Sequence, residues 1–309
     1  MSLMRPALLW CSENRWMRRN IPNLWFVRRA VKRFMPGETA AEALTEARAL
    51  NGRSMGAILT QLGENVADSE AAEAIVEHYL GVLDAISKSG LDAVVSVKLT
   101  QLGLDLDPEL AYGNLERIVR SAREKHSVIW VDMEQNGYVD DTLALVHRIR
   151  DRYESIGVCL QAYLYRTADD LERLVERKIG IRLVKGAYAE PADVAFPVKA
   201  DVDANYFALA ERLLEVENPG GQLRPAFATH DMALIDRIRQ SAVARGVASQ
   251  AYQIQMLYGI ERGAQQRLTA DDLRVMVLIS YGEAWYPWYV RRLAERPANV
   301  WFVVKSTFS

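Results

Sequence analysis

Between residues 57 and 296, short apolar runs alternate with stretches of helical periodicity, and this alternation most constrains the fold. The runs fall at 57–60, 94–99, 128–134, 157–162, 179–186, 225–229, 247–254 and 274–280. Near-continuous apolar runs are what strands need when a parallel sheet is covered on both faces. Helices are expected at 69–89, from Asp107-Pro108 onward, at 139–152, 167–178, within 201–216, at 231–244, after Gly259, and at 284–296. Asp107-Pro108 places a proline in a first turn, where its missing N–H costs nothing. Eight strand–helix units in 309 residues fit a closed α/β barrel better than an open sheet. No G-x-G-x-x-G follows the first run, so no Rossmann nucleotide domain is expected. An Ala/Glu-rich helix at 38–51, stopped by Gly52, precedes the barrel. The expected division is a basic helical arm over 1–52 and the barrel over 53–309.

Composition matters at three points. Half the residues are hydrophobic, enough for one large core, and the net charge of -2 argues against nucleic acid as a partner. The two cysteines, Cys11 and Cys159, form no C-x-x-C, and no H-x-H or H-E-x-x-H occurs. No disulfide framework or metal site is therefore expected, and a reducing, cytoplasmic location is. No run reaches the roughly 18 apolar residues that span a bilayer. The first 36 residues set eight Arg and Lys side chains, Arg5 to Arg33, against the single acid Glu13, with Trp10, Trp16 and Trp25 interleaved. Two readings stay open: a helical arm with a solvated basic face, or a surface that lies on an anionic membrane.

In barrels of this kind the C-terminal ends of the strands carry function. Lys98, Asp132, Glu134, Gln161, Arg182, Lys185, Thr229, His230, Asp231, Gln253 and Gln255 fall on or just after strands. An unpaired charge among apolar runs is costly, so these side chains need partners or a ligand. Lys98 reads either as an ion-pair partner of Asp132 or Glu134 or as a Schiff-base nucleophile. The last helical stretch carries Trp285, Tyr286, Trp288 and Tyr289 ahead of Arg291 and Arg292, with Glu295 following. Two guanidinium groups suit a carboxylate. Adjacent helical residues point about 100° apart, so the pair converges on one ligand only from a helix lying over it. On an exposed face, Arg291 with Glu295 contributes only about 0.3–0.5 kcal/mol.

Seven segments occur in a telling order: 96–100 (SVKLT), 132–134 (DME), 161–164 (QAYL), 182–188 (RLVKGAY), 228–231 (ATHD), 255–259 (QMLYG) and 289–297 (YVRRLAERP). With them the chain resembles the monofunctional bacterial proline dehydrogenase family over nearly its whole length. The resemblance implies a distorted (β/α)8 TIM barrel whose eighth helix sits over the strand C-terminal ends. It implies FAD across those ends, with L-proline between the flavin and that helix. Lys98, Arg291 and Arg292 would hold the substrate carboxylate, and Glu64 would pair with one of the arginines as a gate. Asp132 and Arg182 would be the catalytic pair, Arg182 lying near flavin N5. Met133, Gln161, Lys185, Gly186, Ala187, Tyr188, Thr229, His230 and Glu295 would join Arg182 in lining the cofactor. The implied reaction yields Δ1-pyrroline-5-carboxylate and passes electrons to a membrane quinone, which would give the basic arm a role in peripheral membrane contact.

One position departs from the family pattern. Many members carry a tyrosine on strand eight against the proline ring; Leu278 takes its place here, and Tyr281 follows three residues on. Both are expected at the substrate, where they bear on selectivity between proline and hydroxyproline. Two other function classes remain: a Schiff-base aldolase using Lys98 or Lys185, and a flavin-binding regulator without turnover.

Overall fold

The eight apolar runs become eight parallel strands in a computed structural model that describes residues 14, 33–216 and 223–286. They are β1 (Gly56–Gln61), β2 (Ala93–Val97), β3 (Ile129–Val131), β4 (Ile156–Gln161), β5 (Gly180–Val184), β6 (Ala226–Ala228), β7 (Gln253–Leu257) and β8 (Arg274–Tyr281). The barrel closes in sequence order, β8 pairing with β1 from Gly56↔Met276 to Gln61↔Tyr281. The expected closed barrel of eight parallel strands is what forms.

Helices wrap the outside. They are α1 (Ala40–Asn51), α2 (Ser69–Ser89), α3 (Pro108–Glu124), α4 (Val139–Arg150), α5 (Thr167–Glu176), α6 (Lys199–Glu215), α7 (Met232–Ala244) and α8 (Arg262–Ala270). Their starts follow local chemistry. Asp68, Asp107 and Asp231 accept from the backbone N–H of Ala71, Glu109 and Leu234, and Thr39 forms a reciprocal box with Glu42. Each such cap is worth about 1 kcal/mol. Gly90, with φ 60°, ends α2 in the left-handed conformation that favours glycine. α1 precedes β1 and places Ala43, Ala47 and Leu50 in the main core. Among the described residues, no helix is long and apolar enough to cross a membrane.

Strand β7 corrects the expected span of 247–254. After α7, Gly246 turns left-handed at φ 69° and the Val247 N–H bonds back to the Ala242 carbonyl at 2.9 Å. Val247 therefore completes a helix terminus, residues 249–251 make a 3-10 turn, and pairing starts at Gln253.

Successive strand residues face opposite sides. Val95, Val97, Ile129, Val131, Ile181, Leu183, Ile254 and Met256 pack outward in the main core. The inward face is separate. Trp130, Leu223 and Ala226 form their own cluster, with Val94 and Val128 against it, and so floor the barrel. Glycines make the space: a Cβ on Gly157 would lie 2.7 Å from the Trp130 ring, and one on Gly180 would lie 2.5 Å from Leu223 Cδ1.

Candidate active site at the strand ends

Two-residue spacing sets the charged cluster. Ser96 and Lys98 share the inward face at the end of β2, as Trp130 and Asp132 do at β3, and Arg182 enters from β5. Asp132 is the hub. Its Oδ1 accepts from the Ser96 hydroxyl at 2.7 Å and from Arg182 Nη1 at 2.7 Å, and its Oδ2 accepts from Lys98 Nζ at 3.2 Å. Arg182 Nη1 also donates to Ser96 Oγ at 2.9 Å. The Arg182 guanidinium lies 4.7 Å above the Trp130 ring centroid, a cation–π contact sheltered from water.

Burial works against the Asp132 carboxylate, but Lys98, Arg182 and the Ser96 hydroxyl outweigh it and hold the group below the usual carboxylate range. Burial alone would depress the Lys98 ammonium, yet Asp132, with Tyr188, Glu134 and Tyr79 adding to it, outweighs this and holds the group above the ordinary lysine value. Lys98 is thus a fixed cation. A Schiff-base nucleophile needs the opposite shift, toward a free amine, so the aldolase reading of Lys98 loses its support. Two cations against one carboxylate leave the cluster one positive charge in excess, suited to an anionic ligand.

Arg182 is only 2% exposed, and its Nε and Nη2 have no hydrogen-bond partner. Gln161, ending β4, donates through Nε2 to the carbonyls of Glu134 at 3.0 Å and Met133 at 3.4 Å, leaving Oε1 unpaired. Glu134 itself is buried and its pKa raised by that burial, while Thr100 donates to it through both N–H and hydroxyl. Buried polar atoms without partners are rare in folded proteins. Two free donors on Arg182 and a free acceptor on Gln161 together suit a flat heterocycle with acceptors and donors along its edge.

The remaining expected residues distribute as follows. Lys185 turns aside to Asp203 and to Asp231, the latter at 2.8 Å. Gly186 has φ 116°, and a Cβ there would lie within 2.3 Å of the Tyr163 ring, so glycine is needed on both counts. Ala187 is exposed and Tyr188 half-buried in the same loop. Thr229 and His230 follow β6; His230 Nε2 accepts from the Leu257 N–H at 3.2 Å and ties the β6 and β7 ends together. Glu64 is half-buried in the loop after β1, which is pinned by Asn65 donating to Asp105 at 2.6 Å. Leu278 shares the face of Met276, whose sulfur meets the inward side of Gly56. Tyr281 is not brought to the cluster. It is 1% exposed in the outer core, its hydroxyl 2.8 Å from His78 Nε2 on α2. Three residues from Leu278, it must face the opposite side of the strand. Arg291, Arg292 and Glu295, most of the helix expected at 284–296, and the basic arm before residue 33 lie outside the described residues. Ser96 and Trp130 were missed by sequence reasoning, although each sits two residues before a residue singled out and so shares its face.

The model of the proline dehydrogenase family matches residues 43–305 of this chain. The chain belongs to that family. Among its relatives, proline dehydrogenase 2 of Bacillus subtilis subsp. natto is 35% identical over 305 residues, covering 99% of this chain and 98% of that protein. Proline dehydrogenase of Deinococcus radiodurans is 36% identical over 279 residues, covering 89% and 88%. Among solved structures, proline utilization A of Bdellovibrio bacteriovorus superposes with a TM-score of 0.82 at 23% identity. That match covers 95% of this chain and 36% of the larger protein, and it supports the barrel fold.

Proposed function

We propose that this protein oxidises L-proline to Δ1-pyrroline-5-carboxylate, with FAD as resident cofactor and a membrane quinone as final acceptor. The observation that carries the reading is the buried Lys98–Asp132–Arg182 cluster with two unused Arg182 donors, in a chain of the proline dehydrogenase family. The unpaired atoms of Arg182 and Gln161 fit a flavin edge, and the cluster's excess positive charge fits an amino-acid carboxylate. When bound, FAD supplies the two-electron acceptor that side chains lack.

The chain's own residues then have definite tasks. Lys98, Arg291 and Arg292 hold the carboxylate, and Leu278 faces the pyrrolidine ring. Arg182 presents fixed donors where negative charge develops, which is most effective when water is excluded. Asp132 keeps Lys98 and Arg182 in place, and its depressed pKa makes it a poor base; the substrate nitrogen reacts in its unprotonated form. Met133, Gln161, Lys185, Gly186, Ala187, Tyr188, Thr229, His230 and Glu295 contact the cofactor. Glu64 pairs with one of the two arginines to close the site, and the basic N-terminal arm rests on the anionic cytoplasmic face of the membrane.

The test is the visible spectrum of the purified protein under anaerobic conditions. A flavin band that bleaches on adding L-proline is expected. A colourless protein, trapped by borohydride with a carbonyl substrate, would refute the reading in favour of an aldolase. A flavin band that proline leaves unchanged would instead indicate a regulator without turnover.

A further inference from the structure

Gln255 is 3% exposed, and neither Nε2 nor Oε1 of its amide has a hydrogen-bond partner. It stands on β7 between Ile254 and Met256, both packed outward, so its amide faces the barrel interior. Its sheet neighbours are Ala228 on β6 and Met276 on β8, neither of which offers a polar side chain. Other buried glutamines behave differently. Gln265 donates to the carbonyls of Leu257 and Ile260, Gln101 to that of Gln61, and Gln161 to that of Glu134. Among the described residues, Gln255 is the buried glutamine with both amide atoms unsatisfied.

A buried amide left this way is unfavourable for the protein alone and is stabilised by a partner that enters the barrel mouth and pairs with it. We propose that Gln255 hydrogen-bonds the ring of the bound flavin, donating to a ring acceptor and accepting from the ring imide N–H. The inference rests on the flavin reading above. Its chemical basis is the pairing of a donor with an acceptor: a primary amide is satisfied by a partner that presents both side by side, as the imide edge does. A carboxylate offers acceptors alone and would leave Oε1 unpaired. Gln255 on β7, Arg182 on β5 and Gln161 on β4 hold complementary unpaired atoms on one inward face, and one flat heterocycle satisfies all three.

The discriminating variant is Gln255→Met, close in volume and without the amide, with Gln255→Leu as a second. Each is stripped of cofactor, and FAD is titrated into the apoprotein. The Kd for FAD should weaken about tenfold, as loss of one or two hydrogen bonds predicts. The visible absorption maximum of the bound flavin should shift. The apoprotein should unfold at the same or a higher temperature than wild type, because an unpaired amide has been removed. A fall in apoprotein stability alongside weaker FAD binding would make Gln255 merely structural and overturn the proposal. So would an unchanged Kd and spectrum, or a change confined to KM for proline, while wild-type FAD binding left the functional reading standing. A wild-type apoprotein that takes up no FAD would overturn both.

Discussion

Replacing Asp132 by Asn tests the electrostatic reading of the cluster most directly. Asp132 is the one carboxylate accepting from both Lys98 and Arg182. Asn preserves the shape and one acceptor oxygen but removes the charge, which leaves two cations facing each other above the Trp130 floor. Removing one partner of a buried pair costs about 3–5 kcal/mol. The Lys98 and Asp132 side chains keep 14% and 18% of their exposure, so solvent relieves part of this and the lower end, about 3 kcal/mol, is expected. Lys98→Met is the informative contrast. It leaves the Asp132–Arg182 pair intact and the cluster neutral, so its cost should be near the low end for one lost charged hydrogen bond, about 1.5 kcal/mol. Equilibrium urea unfolding of the apoproteins at neutral pH measures both. If Lys98→Met proves as damaging as Asp132→Asn, the charge-count argument is wrong.

The same pair carries a pH signature. Because the folded-state pKa of Asp132 is lowered, its stabilisation is full above the unfolded value of about 3.9 and is lost as pH falls through the lower folded value. Because that of Lys98 is raised, its share is full below about 10.4 and is lost as pH rises through the higher folded value. Wild-type apoprotein should therefore weaken at both extremes. The Asp132→Asn protein should lack both of these contributions, because its cluster holds no carboxylate for either end.

Two further outcomes follow from single contacts. Arg291→Ala and Arg292→Ala should each raise KM for proline by about 10- to 100-fold, the equivalent of a charged hydrogen bond worth about 1.5–3 kcal/mol, with FAD retained; steady-state kinetics with unchanged KM in both would remove them from the substrate. Gly157→Ala forces a methyl to within 2.7 Å of the Trp130 ring, so thermal or urea unfolding should show a loss of about 1–3 kcal/mol from overpacking. Wild-type stability in that variant would mean the barrel floor is looser than its contacts indicate.

The barrel was legible because parallel strands buried on both faces read as apolar runs, and because Asp107, Asp231 and Gly90 mark helix ends with side-chain or backbone chemistry of their own. Parity extends that legibility to the site: Ser96 with Lys98 and Trp130 with Asp132 share faces by two-residue spacing, and the same rule separates Tyr281 from Leu278. What local sequence does not encode is the fit between strands. Gly157 makes room for Trp130 only because the β3–β4 register sets them opposite each other, 27 positions apart in the chain. Strand β7 shows the cost of setting a strand's bounds by apolar residues. The expected span began at Val247, which instead ends a helix, and stopped at Ile254, three residues short of the strand's end at Leu257. Gln253 and Gln255 carry their polarity into the barrel interior, where Gln255 has no partner within the described protein. Local rules are expected to fail where function imposes a residue that packing alone would not choose, and the misplaced strand is the one that carries the buried amide proposed to meet the cofactor.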